Sequence, residues 1–445
     1  MSEELSKSSN PGMNTAFETI ETNAAGHSDE IDAEPVYSIA TGHEGSVGDQ
    51  LRGTLQRIRG GEMGMLPALA GLLVLAILFT FLSPFFLTKG NMANLLTQSA
   101  ELMMLAIALT FVIVLTEIDL SAGVTGGVGM AVFIILVNDK HWNWILALVV
   151  ALLVGALIGT FIGYFVAKIG IPSFVITLGL FLGFQGVLLI MLGDAGSYSV
   201  QTPSVVAIMN KSMPAWAGWL MLVIIVAVSL GTGLYDRAQR NRAGMAVKPM
   251  SLLLARVIAY AVVGGFIVYL LNQNRSASRV AIEGVPIVVP IALTILWLGT
   301  MLLDRTRFGL HIYAVGGNPE AARRAGINVL RVRITAFILC STLAVVSALF
   351  TISRTGVVQS STGRDIVLSG VGAAVVGGVS LFGGRGRLAQ AAVGALLIAM
   401  ITNGLGLLGY SAGFTFVVTG AVLILAATID ALSRRRSGST SLARN

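Results

Sequence analysis

The strongest constraint on this chain is a succession of apolar stretches, each close to the length of a bilayer crossing. A helix needs about 20 consecutive apolar residues to cross the hydrocarbon core. Stretches of that kind lie at roughly 66–87, 94–116, 143–167, 171–192, 214–234, 251–271, 286–303, 334–352, 389–408 and 413–431. Two more, near 119–137 and 366–382, are short and rich in Gly. These two are expected either to span or to be broken or re-entrant. The pattern predicts an all-α polytopic membrane protein with about 10–12 transmembrane helices. Composition agrees: 55% of residues are hydrophobic and 11% charged, where soluble domains carry about 25% charged residues.

Charge is unevenly spread along the 445 residues. Of the 22 acids, ten lie in residues 1–50, beside a single base, Lys7. That segment is polar and acidic, so a disordered cytoplasmic tail is expected over residues 1–60, with a basic patch (Arg52, Arg57, Arg59) at its end. It has no basic start followed by an apolar stretch, so it does not read as a secretory signal. A membrane-spanning domain is expected over 61–433, and a basic tail over 434–445. Cytoplasmic loops favour Lys and Arg. Loop 235–250 (Arg237, Arg240, Arg242, Lys248), loop 304–333 (Arg305, Arg307, Arg323, Arg324, Arg331, Arg333) and the end (Arg434, Arg435, Arg436) then share one side. An even number of spans puts both termini in the cytoplasm. Loop 193–213, with Lys211 and Asp194, falls outside, and so does loop 272–285, which dissents with Arg275 and Arg279.

Several function classes are excluded. The single cysteine, Cys340, and four scattered histidines offer no metal cluster or thiol framework, so no cofactor or metal is expected. No phosphate loop is present. The basic residues sit in short loops between spans, which argues for membrane orientation and against nucleic acid. Gly404-Leu405-Gly406-Leu407-Leu408-Gly409 fits G-x-G-x-x-G only by chance, since it lies in an apolar run without a strand–helix unit.

Three polar or Gly-rich segments carry more information. In the first, Asn318 can cap a helix, Pro319 suits its first position, and Glu320 suits its positive end. Ala321 and Ala322 follow, then Arg323 and Arg324 at the negative end, and Gly326 as a left-handed stop. The spacing predicts a helix of under ten residues, displayed between two spans. It serves either to dock a partner or to lie on lipid headgroups. In the second, Glu117-Ile118-Asp119-Leu120-Ser121 ends a long apolar run. Asp119 there is either a helix cap or an intramembrane site. The third, Gly377 to Arg387, is a Gly-rich turn or hinge. Among the spans, Gly155, Gly159 and Gly163 are spaced for a tight helix seam, as are Gly179 and Gly183. Val154-Gly155-Ala156-Leu157-Ile158 faintly echoes Val393-Gly394-Ala395-Leu396-Leu397.

Taken in order, these segments resemble one family. Ile118-Asp119-Leu120-Ser121, Gly317-Asn318-Pro319-Glu320-Ala321-Ala322 and Gly377-Gly378…Ser380-Leu381-Phe382-Gly383-Gly384-Arg385-Gly386 look like motifs of the membrane permeases of bacterial ABC importers for monosaccharides, the ribose and xylose type. Asn403-Gly404-Leu405 and Ala426…Asp430 resemble the family's C-terminal end. The resemblance covers about residues 85–435, and the added spans near 214–271 look most like the xylose-type branch. The chain departs from the pattern at Glu117, where the family often has Gly, and at Val367 and Ser369, where acids are expected.

The resemblance implies a homodimeric permease in the bacterial inner membrane, surrounded by lipid. It would carry xylose or a similar pentose delivered by a periplasmic sugar-binding protein. A separate ABC ATPase subunit would drive it and dock on the helix from Asn318 to Gly326, so the permease itself is no enzyme. Thr97, Gln98, Glu101, Asp119 and Asn403 are the pathway candidates; each is equally able to bond a neighbouring helix. The rival readings are an ion-coupled secondary transporter, with Glu101, Glu117 and Asp119 as coupling acids, and an ABC permease for another small solute: a nucleoside, a branched-chain amino acid or an autoinducer furanose.

Overall fold

The computed structural model describes residues 64–442, apart from 194–195, 246, 248 and 277–280. The acidic tail, the Arg52–Arg59 patch, Asp194, Lys248 and Arg279 lie outside the described residues, as do the side chains of Asp430 and Arg434 to Arg436.

Helices dominate. They run α1 Leu66–Leu82, α2 Lys89–Ile113, α3 Ala122–Asn138, α4 Trp144–Tyr164 and α5 Ser173–Leu192. Then come α6 Pro203–Asn210, α7 Ala215–Arg242, α8 Met250–Leu271, α9 Val288–Arg305, α10 Arg307–Gly317 and α11 Pro319–Arg324. The last four are α12 Val329–Thr355, α13 Ile366–Val376, α14 Leu388–Leu407 and α15 Ala412–Leu442. A two-stranded antiparallel pair, β1 (Ser197–Ser199) and β2 (Val357–Gln359), ties the end of α5 to the end of α12. Among the described residues, eight helices are long and apolar enough to cross a membrane. The apolar helices α1, α3 and α13 and the Ala412–Thr428 part of α15 are shorter. The twelve apolar stretches of the sequence thus all become helices, and the two Gly-rich ones become the shortened α3 and α13. The loop expected over 304–333 holds α10 as well as the short capped helix.

The core forms around α2 and α12. Both are buried along most of their length, with Met104, Leu105, Ile107, Phe111, Phe337 and Phe350 among the enclosed side chains. A helix apolar all round is suited to such a place. Close backbone approach lets α4 lie on α12. A Cβ on Gly159 would stand 2.4 Å from the Phe337 carbonyl oxygen, and one on Gly163 2.7 Å from the Ile334 Cα. Gly155 likewise faces Val345 and Ser341. Gly179 and Gly183 on α5 meet nothing within 4 Å, so their spacing reflects only the frequency of Gly in such helices.

Helices α7 and α8 form a peripheral hairpin that packs mainly on itself, with Leu222 against Gly264 and Leu253 against Gly233. It reaches the rest through Val268, Leu271, Val285 and Ala93. The dissenting base Arg275 holds its loop together: its guanidinium donates to the Leu271 carbonyl, to the Gly284 carbonyl at 2.9 Å and to Ser212 Oγ at 2.9 Å. Burial lowers its pKa, with Glu283 opposing.

The two glycine pairs separate packing from composition. Gly159→Leu should overpack the α4–α12 seam, by about 1–3 kcal/mol or more, and lower the Tm of the detergent-solubilised protein. Gly183→Leu should leave it unchanged. Equal Tm values for the two variants would contradict the seam.

Candidate functional site

The short helix α11 is capped at both ends. Asn318 Oδ1 accepts from the backbone N–H of Glu320 and of Ala321, each at 3.0 Å, and Pro319 occupies the first turn. At the other end Gly326 takes φ +81°, and the Ile327 N–H donates to the Ala322 carbonyl at 3.0 Å. Ala322 is buried in the main core. Glu320, Arg323 and Arg324 point outward, with Glu320 paired to Arg323 at 3.4 Å and to Arg324 at 3.7 Å. The displayed face is thus a small ordered charge array with one base in excess.

The base of α11 is a knot of backbone. The Gly384 N–H donates to the Val114 carbonyl at 2.9 Å, where α2 has just ended. Gly316, the second-last residue of α10, lies so close that its Cβ would fall 1.9 Å from the same oxygen. Gly383 and Gly384 take φ +74° and +68°, conformations that L side chains resist. Tyr313 Oη donates to the Gly386 carbonyl at 2.6 Å. Burial, then Asp304, pushes its pKa up to about 12 against the pull of Arg387, so the phenol stays a donor at neutral pH. Glu117 is buried and pairs with Arg333 of α12 at 3.3 Å. The three motifs far apart in the chain therefore meet at one end of the bundle.

The remaining candidates lie elsewhere. Asp119 is fully buried and closes the turn that leads into α3: its Oδ1 accepts from the Ser121 N–H at 2.9 Å and from Ser121 Oγ at 2.7 Å. Its Oδ2 accepts from Cys340 Sγ at 3.7 Å. Asn403 is joined to Asn91 by two amide hydrogen bonds, at 2.8 and 2.9 Å, which pin α14 to α2. Thr97 donates to the Asn94 carbonyl of its own helix at 2.8 Å. Gln98 is half-buried.

Glu101 differs from these. Its buried carboxylate accepts from Thr351 Oγ1 at 2.8 Å and pairs with Arg354 at 2.8 Å. Arg354, Thr351 and Asn91 do not stand out in the sequence, and Arg333 reads there only as one of the loop's bases. A base at the far end of an apolar run, such as Arg354, is the one signal that would have pointed to a buried acid.

A family model described as "Branched-chain amino acid transport system / permease component" matches residues 91–427. The chain belongs to this permease family. The permease is 33% identical over 371 residues to the xylose transport system permease protein XylH of Escherichia coli (strain K12), covering 83% of this chain and 92% of the relative. It is 31% identical over 373 residues to XylH of Haemophilus influenzae, covering 82% and 96%. It is 30% identical over 383 residues to the ribose import permease protein RbsC of Bacillus subtilis (strain 168), covering 86% and 98%. No solved structure matches the permease. The resemblance to ribose- and xylose-type permeases stands on these relatives.

Removing one partner of a buried pair is costly because the other charge is left without compensation. Arg354→Ala should lower stability by about 1–3 kcal/mol, below the fully buried case because the Arg354 side chain is 43% exposed. Adding Glu101→Gln should recover part of the loss. A Tm for the double variant as low as the sum of the two single effects would show that the two residues are not coupled.

Proposed function

We propose that this permease is the membrane subunit of an ATP-binding cassette importer for a monosaccharide, xylose or a similar pentose. It works in the bacterial inner membrane as a homodimer. A periplasmic binding protein supplies the sugar, and a separate ATPase subunit docks on α11. The observation that carries this reading is a capped helix, displayed outward, whose base is bound to the ends of α2, α10 and the α13–α14 loop. A partner pressing on α11 would move those elements together. The names of the xylose and ribose relatives support the sugar class. The description of the family model supports a second solute, a branched-chain amino acid. A binding assay on the partner binding protein separates the two. The ion-coupled reading is weakened because Glu101 and Glu117 are paired to arginines, and Asp119 caps a turn.

Two variants test the docking helix. Glu320→Lys breaks both ion pairs and sets three bases side by side, at about 1 kcal/mol or less of local stability. A Cβ added at Gly326 meets no neighbour within 4 Å, so the main cost of Gly326→Val is the left-handed conformation, about 1–2 kcal/mol. Both proteins should reach the membrane in normal amount. Both should retain the ATPase subunit poorly in pull-down and lose stimulation of ATP hydrolysis by sugar-loaded binding protein. Normal stimulation in both variants would mean that α11 only lies against lipid headgroups.

A further inference from the structure

We propose that the segment from Gly356 to Ile366 builds a pocket for a neutral, polyhydroxylated solute on the transport route; this rests on the importer reading. The segment's depth follows from helix lengths. Helix α12 starts just after α11, and its 27 residues rise about 40 Å. Thr355 therefore lies at the face opposite α11. Helix α13 ends beside the Gly377–Arg387 turn, on the same face as α11. Its 11 residues rise only about 16 Å, roughly half of the ~30 Å hydrocarbon core. The chain between Thr355 and α13 thus descends from the far face to mid-depth without a spanning helix. Non-helical backbone at that depth persists only if buried in protein or lining a water-filled cavity.

Both conditions hold here, one on each side of the segment. On one side it lies directly on α3. Gly363, at φ +85°, is so close that a Cβ would stand 1.9 Å from the Gly123 carbonyl oxygen, and one on Gly127 would stand 2.5 Å from that of Thr362. On the other side it borders an open cavity of about 240 Å³, lined by Thr351, Thr355, Gln359, Ser361, Thr362 and Asp365 among others. Arg364 and Asp365 pair at 3.5 Å with side chains 55% and 70% exposed. Charges exposed at such depth require water beside them.

The wall is set up for hydroxyl groups. Thr351 gives its hydroxyl proton to Glu101, which Arg354 holds in place, so its lone pairs are left to accept. Thr362 Oγ1 accepts from the Gln359 N–H at 2.9 Å, so its proton is left to donate. Gln359 can do both, and Asp365 can accept. Among the described residues that line the wall there is no aromatic ring and no base. A solute whose hydroxyls donate and accept in turn fits it better than an anion or a flat ring.

The test uses the full complex with its ATPase and binding protein in proteoliposomes, with labelled xylose and ribose as probes. Thr351→Val and Thr362→Val keep the side-chain volume and delete the hydroxyl. Each should cut uptake about tenfold, the value of one lost hydrogen bond of roughly 1.4 kcal/mol. ATPase association should be unchanged, and Thr351→Ser should restore uptake. In a Cys340→Ser background, Gln359→Cys should react with a membrane-impermeant maleimide, more slowly in the presence of saturating sugar. Wild-type uptake in both valine variants, or a Gln359→Cys thiol inert to the reagent, would overturn the proposal. If the unmodified complex takes up neither sugar with ATP, the importer reading itself fails; the thiol still reports whether the cavity holds water.

Discussion

The Val114 carbonyl is the point on which the rest of the permease depends. It terminates α2, accepts from Gly384 and touches Gly316 at a distance that excludes any side chain. Three segments drawn from residues 114, 316 and 384 are held in backbone contact there. Interiors packed this closely transmit displacement because they have few voids in which to absorb it. Helix α11 projects from this knot, and α2, buried along most of its length, leads away from it to Glu101 at mid-length.

A second rigid seam runs beside the first. Gly155, Gly159 and Gly163 let α4 approach the backbone of α12, and α12 carries Arg333 at one end and Thr351 and Arg354 at the other. Both long core helices therefore join the α11 face to the Glu101–Thr351–Arg354 cluster. Without van der Waals contact of this closeness, helices in lipid have little to hold them together. The hairpin α7–α8 touches this frame at its edge, through Val268 and Leu271 and through the Asp236–Arg305 ion pair at 2.6 Å.

Much of this was legible in the sequence. The twelve helical stretches followed from hydropathy alone, and the cap at Asn318 and the stop at Gly326 followed from local chemistry that needs no partner. What remained illegible depended on contacts between distant residues. Gly155 and Gly179 occupy equivalent patterns, yet only the first faces another backbone. Asp119 and Glu101 both read as intramembrane acids; one caps a turn and the other is bound to a residue 253 positions further on, Arg354. The 356–366 segment carried no apolar period and no motif, so nothing in it marked a descent into the membrane. Helix α10 was hidden because Arg307–Gly317 sits in a loop rich in bases.

The most direct measurement is the number of sugar molecules taken up per ATP hydrolysed in a Gly316→Ala variant. The added Cβ must push the α10 end away from Val114 while leaving the exposed face of α11 untouched. The variant should still bind the ATPase subunit and still hydrolyse ATP, but uptake per ATP should fall severalfold. An unchanged ratio, in a protein that assembles normally, would contradict the claim that the Val114 contact carries the motion.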